Sequence, residues 1–405
     1  MTQPENRLFD SSPRTRTGFK RDAEPNFTYY NESSRDELQA LREMLETWYA
    51  SLPDDAKPDV RSRFRARDDV QHAGAFLELY VHELLTGMGF GVELHPEVPG
   101  TTRQPDFLVT RHGVPCFYAE CRAVGPPKEV RAQEARLNQA LNALRRLYFL
   151  DFELDLEVDG APQSPVPARR LASDIRRWVG NLNAQRVLEE ATNLESADLP
   201  QLGCFHDGLR IHVIAVPRAH DERGTAASNS AVRSIMTEMH EVDDYSPIRA
   251  AVVRKGKQYR HLQLPYVLFL NTIRERIHRF DIWNALFGNS GMRYQLPARG
   301  GLVAQPYRRP NGAWVNGDGP RYTKISGVFL GVGLGPWSSL TQSPTLMHHP
   351  WAAHRLDPTV WPLAQEVPND STQTYTLRIP VDPDRRFRPK AIADSGDGDR
   401  RFRPS

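Results

Sequence analysis

Cysteine is nearly absent from this sequence: Cys116, Cys121 and Cys204 are the only three in 405 residues. Three thiols build neither a disulfide framework nor a four-thiolate zinc site, so a reducing, cytoplasmic setting is the expectation. Long apolar runs are missing as well. The best of them, Tyr266–Leu270 and Val328–Leu334, have the length of strands, far short of the roughly 18–20 residues a membrane helix requires. The opening MTQPENRLFD lacks a basic-then-apolar signal pattern, so neither export nor a membrane partner is expected. Lysine is scarce too, at seven of the 52 basic residues, and chemistry that needs a primary amine therefore has few candidates. No Walker-type lysine loop and no G-x-S-x-G elbow occur, which leaves energy coupling and α/β-hydrolase chemistry unsupported.

What is present suits two globular domains. Lys and Arg exceed Asp and Glu by only two charges, which excludes a chain-wide polycation but permits local basic patches. Thirty-two prolines and 27 glycines imply much loop around the core. The pattern predicts an α/β protein with a mixed sheet flanked by helices. Its expected divisions are a leader and helix over 1–65, a core over 66–160, a second α/β region over 161–350, and a C-terminal extension over 351–405.

Residues 1–32 have no periodicity and read as a mobile leader. Ser34-Arg-Asp-Glu37 has capping-box spacing ahead of a helix carrying Leu38, Leu41, Leu45 and Trp48. Asp54–Asp69 reads as a charged connector, and Ala75–Met88 as a mostly buried helix. Short β-rich runs follow at Val92–Val98, Asp106–Thr110 and Cys116–Val124, with Arg111-His-Gly113 as a hairpin loop. Glu129–Leu147 is predicted helical and Phe152–Val158 a strand. Beyond the proline-rich stretch 162–167, the expected elements are Leu171–Val179, Arg210–Val216, Ile248–Arg260, Tyr266–Leu270 and Val328–Leu334. The hexapeptide Asp384-Arg-Arg-Phe-Arg-Pro389 recurs at Asp399–Pro404, in a polar segment expected to be a disordered tail.

The chemistry concentrates between Phe76 and Arg122. Glu78 sits on the apolar helix, Pro105-Asp106 opens one strand, and Tyr118-Ala-Glu120-Cys-Arg122 lies on the next. Alternation puts Tyr118, Glu120 and Arg122 on one face. Hairpin geometry can bring Asp106 and Glu120 close enough to grip one hard cation through oxygen. Two carboxylates with waters and a phosphate oxygen are a usual setting for Mg²⁺, and such an ion supports phosphodiester cleavage.

This order resembles the PD-(D/E)XK nuclease superfamily, the restriction-endonuclease-like fold, over roughly residues 70–160. The resemblance implies a Mg²⁺- or Mn²⁺-dependent nuclease acting on DNA, of a restriction or defence kind. Asp106 and Glu120 would then hold the metal, and Glu78 (with Glu83 as second choice) would be the helical acid. Arg122 fills the lysine slot. Guanidinium stays protonated, so Arg122 can stabilise an anion but cannot act as a general base. Lysine migration to another element occurs in the superfamily. Reach ranks Arg122 first and Lys128 second, with Lys255 and Lys257 requiring a domain contact. The alternative is a nuclease-fold protein that has lost catalysis and binds nucleic acid or a protein partner.

Charge supports a nucleic-acid partner. Arg249–Arg279 holds eight Lys and Arg against Glu275, and Arg122–Arg146 holds six against Glu129 and Glu134. Basic helices beside a carboxylate pocket suit a phosphate backbone. His348, His349 and His354 match no zinc spacing and read as structural. Gly331-Val-Gly333-Leu-Gly335 lacks the full dinucleotide fingerprint and reads as a strand edge.

Overall fold

The computed structural model describes residues 7–21, 24–190, 199–218, 230–237, 245–259, 262–273, 277–295, 303–340, 344–369 and 375–378. The duplicated hexapeptides lie outside the described residues. The chain is mixed α/β and forms two compact units, one from 1–18, 25–125 and 243–405, the other from 19–24 and 126–242. The division therefore does not fall at residue 160. The stretch 126–242 is an insertion, and the chain on both sides of it builds one large sheet.

The first unit opens with α1 (Asn26–Glu32), α2 (Asp36–Ala50), α3 (Lys57–Phe64) and α4 (Asp69–Gly87). A meander follows, of β1 (Gly91–Leu94), β2 (Phe107–Arg111) and β3 (Val114–Val124). The inserted unit contains α5 (Lys128–Leu144), β4 (Phe152–Gly160), α6 (Ala168–Gly180), α7 (Ala184–Glu190), β5 (Gln201–His206), β6 (Leu209–Pro217) and β7 (Val232–Thr237). The first unit resumes with α8 (Tyr245–Gly256), β8 (Tyr266–Thr272) and α9 (Arg279–Phe287). After β9 (Ser290–Gln295), β10 (Val303–Arg308), β11 (Val315–Asn316) and β12 (Gly319–Pro320) come β13 (Gly327–Val332), β14 (Thr345–His348), β15 (Gln365–Pro368) and β16 (Tyr375–Arg378).

The large sheet runs β1-β2-β3-β8-β13-β14-β15-β16. Strands β1, β2 and β3 are antiparallel neighbours, whereas β3, β8 and β13 are parallel. All seven residues of β8 are buried, as expected for a parallel strand covered on both faces. Phe117, Ala119 and Cys121 of β3 join the core that contains α4. Tyr118, on the opposite face, joins the core that contains Ile248 and Val252 of α8. The β2–β3 turn forms where the sequence predicts it. His112 and Gly113 have φ of 52° and 77°, the left-handed pair that a two-residue hairpin turn needs.

The inserted unit is a four-stranded sheet, β5-β6-β4-β7, covered by Leu141, Leu144, Ile175 and Val179 of its helices. Its tight Asp207-Gly208 turn, with φ of 39° and 83°, is of the same left-handed type and escaped the sequence reading.

Three local expectations need correction. Residues 7–21 are not a loose leader. Leu8 and Phe9 are buried, and their amides donate to Glu46 at 3.0 and 2.9 Å. Burying each apolar side chain is worth about 1.5–3 kcal/mol, enough to hold an extended segment that has no periodicity to detect. The connector 54–69 contains α3. Ser34 does not cap α2: Arg35 stands at the N-cap without a side-chain bond, and the Ser34 hydroxyl donates to the Arg16 carbonyl at 3.0 Å. The working cap is Asp68, which accepts from Val70 N and Gln71 N and starts α4 six residues earlier than the apolar pattern suggests.

The histidines near Trp351 do core work. His348 Nε2 is 2.8 Å from Gln365 Oε1. The His349 ring has its Nε2 2.9 Å from the Arg321 carbonyl, while its Nδ1 accepts from Trp351 N. This pairing requires the neutral imidazole, and burial pushes His349 down to about 4. The unfolded chain therefore takes up this proton first as pH falls from about 6.5 to about 4, and folding stability falls across that window. The shift corresponds to a loss on the order of 3 kcal/mol. Urea midpoints of the parent and His349→Gln between pH 7 and 4 check this; the parent should lose more stability than the variant.

Candidate metal and phosphate site

The meander and α8 position the site. Phe107 pairs with Ala119 across β2 and β3, so Asp106, one residue before β2, enters opposite Glu120. The Asp106 carboxylate accepts from the Cys121 amide at 2.6 Å. Its pKa lies well above the ordinary carboxylate range, first because the group is withdrawn from solvent, then because Glu120 and Glu78 repel its charge. The Cys121 bond and Lys255 act in the opposite direction but do not prevail. The structure thus brings Asp106 and Glu120 into one electrostatic cluster.

Glu120 is buried, at 3 % exposure, and held by two groups. Lys255 Nζ forms a very close ion pair with Oε1, and the Tyr259 hydroxyl donates to Oε2 at 3.1 Å. Lys255 lies in the last turn of α8, a helix packed directly against β3 and β8. This reverses the expected ranking of cations. Lys255 needs no domain contact, because α8 and Glu120 belong to the same unit. Lys128 is exposed at the start of α5, in the other unit. Arg122 is half-buried, and burial and Arg254 lower its pKa while Glu120 opposes them. It makes no hydrogen bond or ion pair among the described residues.

Glu78 occupies a different position from the one expected of an open ligand. Arg63 of α3 grips both its oxygens, Nη1 to Oε1 at 2.7 Å and Nη2 to Oε2 at 2.6 Å. Glu78, not Glu83, is the α4 carboxylate whose charge acts on Asp106. The sequence offers Tyr259 only as a stacking residue within the basic cluster and does not place it or Tyr266 beside Glu120. Tyr266 opens a strand the sequence does predict, but its place near Glu120 comes from pairing in parallel with Tyr118, two residues before Glu120, across the insertion.

Among the described residues, no three His, Cys, Asp or Glu side chains are grouped to hold an ion unaided. A divalent cation would have to take the two-carboxylate form, completed by water and phosphate oxygens. Two features fit it. The donors are hard oxygens under mutual repulsion. The Tyr266 hydroxyl is buried without a hydrogen-bond partner, and the charges of Glu120 and Asp106 act on it.

The two basic clusters separate. Of the cluster from Arg122 to Arg146, only Arg122 shares the unit of Glu120; α5 belongs to the insertion. In the cluster from Arg249 to Arg279, Lys255 meets Glu120 and Arg279 pairs with Glu366 at 2.7 Å. No helix among the described residues is long and apolar enough to cross a membrane. No protein-family model, curated protein or solved structure matches the chain.

Proposed function

We propose that this chain is a metal-dependent phosphodiester hydrolase acting on DNA, with Mg²⁺ or Mn²⁺ held by Asp106 and Glu120. The observation that carries the reading is the meeting in one charged cluster of Asp106 at the entry to β2, Glu120 on β3 and Lys255 of α8, which pairs with Glu120. The choice of DNA rests on the resemblance to PD-(D/E)XK nucleases, and a restriction or defence role has no support beyond it. A bound divalent ion would neutralise charge building on the scissile phosphate and activate water.

The residues of the chain have separable tasks. Lys255 supplies the amine that the E-X-R sequence lacks, as a migrated lysine, and its positive charge can stabilise the phosphate. Tyr259 orients Glu120 through its hydrogen bond. Arg122 adds a fixed positive charge. Glu78, paired with Arg63, adds negative charge beside Asp106 and does not act as an open ligand.

The test is incubation of purified protein with plasmid and linear DNA, in Mg²⁺, in Mn²⁺ and then with chelator. Cutting that requires the ion supports the hydrolase. One observation favours the rival, a non-catalytic DNA-binding protein: the buried Glu120 is already neutralised by Lys255. Binding that weakens steeply with salt, without cutting in either metal, would establish the rival instead.

A further inference from the structure

A second cavity adjoins the carboxylate cluster, with a volume of about 310 Å³. Its walls come from two parts of the first unit: the β1–β2 loop, through Val98 to Thr101 and Arg103, and, beyond α8, Lys257, Gln258, Tyr259 and Leu262. The loop wall is a tight turn. Thr101 N donates to the Val98 carbonyl at 3.3 Å across Pro99-Gly100, and Gly100 has φ of 80°, the arrangement in which Pro-Gly closes a type II turn. A Cβ at Gly100 would have space around it but a strained backbone, so the glycine serves the turn.

The charge of the cavity is one-sided. Arg103 and Lys257 line it, both exposed, and among the described residues no acidic side chain does. Among the described residues neither cation has a carboxylate within ion-pair distance. The remaining lining mixes Gln258, Thr101 and the Tyr259 side chain with apolar Val98, Pro99 and Leu262. At the lower end of ligand-site volumes, such a cavity suits one compact ligand with an anionic end and a flat, partly polar body.

The cavity is tied to the carboxylate cluster. Gln258 Nε2 donates to the Tyr259 hydroxyl at 3.1 Å, and that hydroxyl donates to Glu120. Lys255, Lys257, Gln258 and Tyr259 therefore belong to one short segment that reaches Glu120 at one end and the cavity at the other. We infer that this cavity seats a single phosphorylated nucleotide unit of the substrate, with Arg103 and Lys257 on its phosphate. This deepens the hydrolase reading and rests on it for the identity of the substrate.

The test is calorimetric titration of the full chain with thymidine 5′-monophosphate in chelator, where no metal can contribute. The expected result is one site per chain, no binding of unphosphorylated thymidine, and at least tenfold weaker binding in the Arg103→Ala/Lys257→Ala double variant. Both side chains are exposed, and circular dichroism checks the fold. If the double variant is unfolded, each single substitution should still weaken binding severalfold. Glu120→Gln should bind the nucleotide while losing cleavage. Inorganic phosphate binding as tightly as the nucleotide, no binding of the nucleotide, or binding indifferent to both cations would each overturn the assignment. Nucleotide binding with the expected losses but no DNA cutting would instead remove the hydrolase reading and leave the cavity's ligand standing. Cutting together with indifferent binding would do the reverse.

Discussion

Replacing Lys255 with alanine is expected to destabilise the protein by about 3–5 kcal/mol, the usual effect of leaving one member of a buried ion pair alone. Glu120 is 3 % exposed, and among the described residues Lys255 is its only ion-pair partner. Tyr259 would remain, but one hydroxyl cannot offset a buried carboxylate. The double variant Lys255→Met/Glu120→Leu removes both charges and should recover most of the loss, because a desolvated pair is worth little against apolar groups of similar volume. Urea unfolding of parent, two single variants and the double variant measures the coupling directly. Cleavage should fall in all three. Arg122→Ala, which breaks no hydrogen bond or ion pair, should cost far less stability than Lys255→Ala and reduce cleavage less.

Asp106→Asn is expected to stabilise the metal-free protein by about 1 kcal/mol. The Asp106 carboxyl is held above its unfolded range by burial and by two neighbouring carboxylates. The folded state then binds this proton more readily than the unfolded state. Its contribution to stability is therefore least favourable above the folded pKa and improves as pH falls through it. Asparagine can still accept from Cys121 N but carries no charge. Adding Mn²⁺ to the parent should reverse the order of stabilities, since a ligand at 100 times its Kd stabilises by about 2.7 kcal/mol. The variant should gain much less. Thermal unfolding of both proteins in chelator and in Mn²⁺ reads the two effects separately. A variant less stable than the parent in chelator would contradict this picture of the cluster.

The meander was legible because its signals are local. Arg111-His-Gly113 reads as a hairpin loop, and side-chain alternation sets Phe117, Ala119 and Cys121 on one face of the strand with Tyr118 and Glu120 on the other. Asp106 and Glu120 could be paired from that hairpin alone. The partner of Glu120 could not. Lys255 lies 135 residues away, on the far side of a whole inserted unit, and no periodicity encodes a contact across an insertion. The same insertion hid the domain division, because α5 and β4 follow β3 in sequence yet belong to the other unit. The N-terminal segment around Leu8 and Phe9 escaped for a different reason: two apolar residues in an extended run have no period. Glu78 was placed on the right helix, but its occupation by Arg63 depends on how α3 packs, and α3 reads as a charged connector.

Whether Asp106 and Glu120 form one hydrolytic centre is measured most directly by metal-dependent cleavage of plasmid DNA by the parent and Asp106→Ala. Both proteins are first shown to be equally folded by circular dichroism. The parent is expected to nick or linearise the plasmid in Mg²⁺ or Mn²⁺ and to stop in chelator, and the variant to cut in neither metal. Undiminished cleavage by Asp106→Ala, or no cleavage by the parent in either metal, would contradict a shared centre.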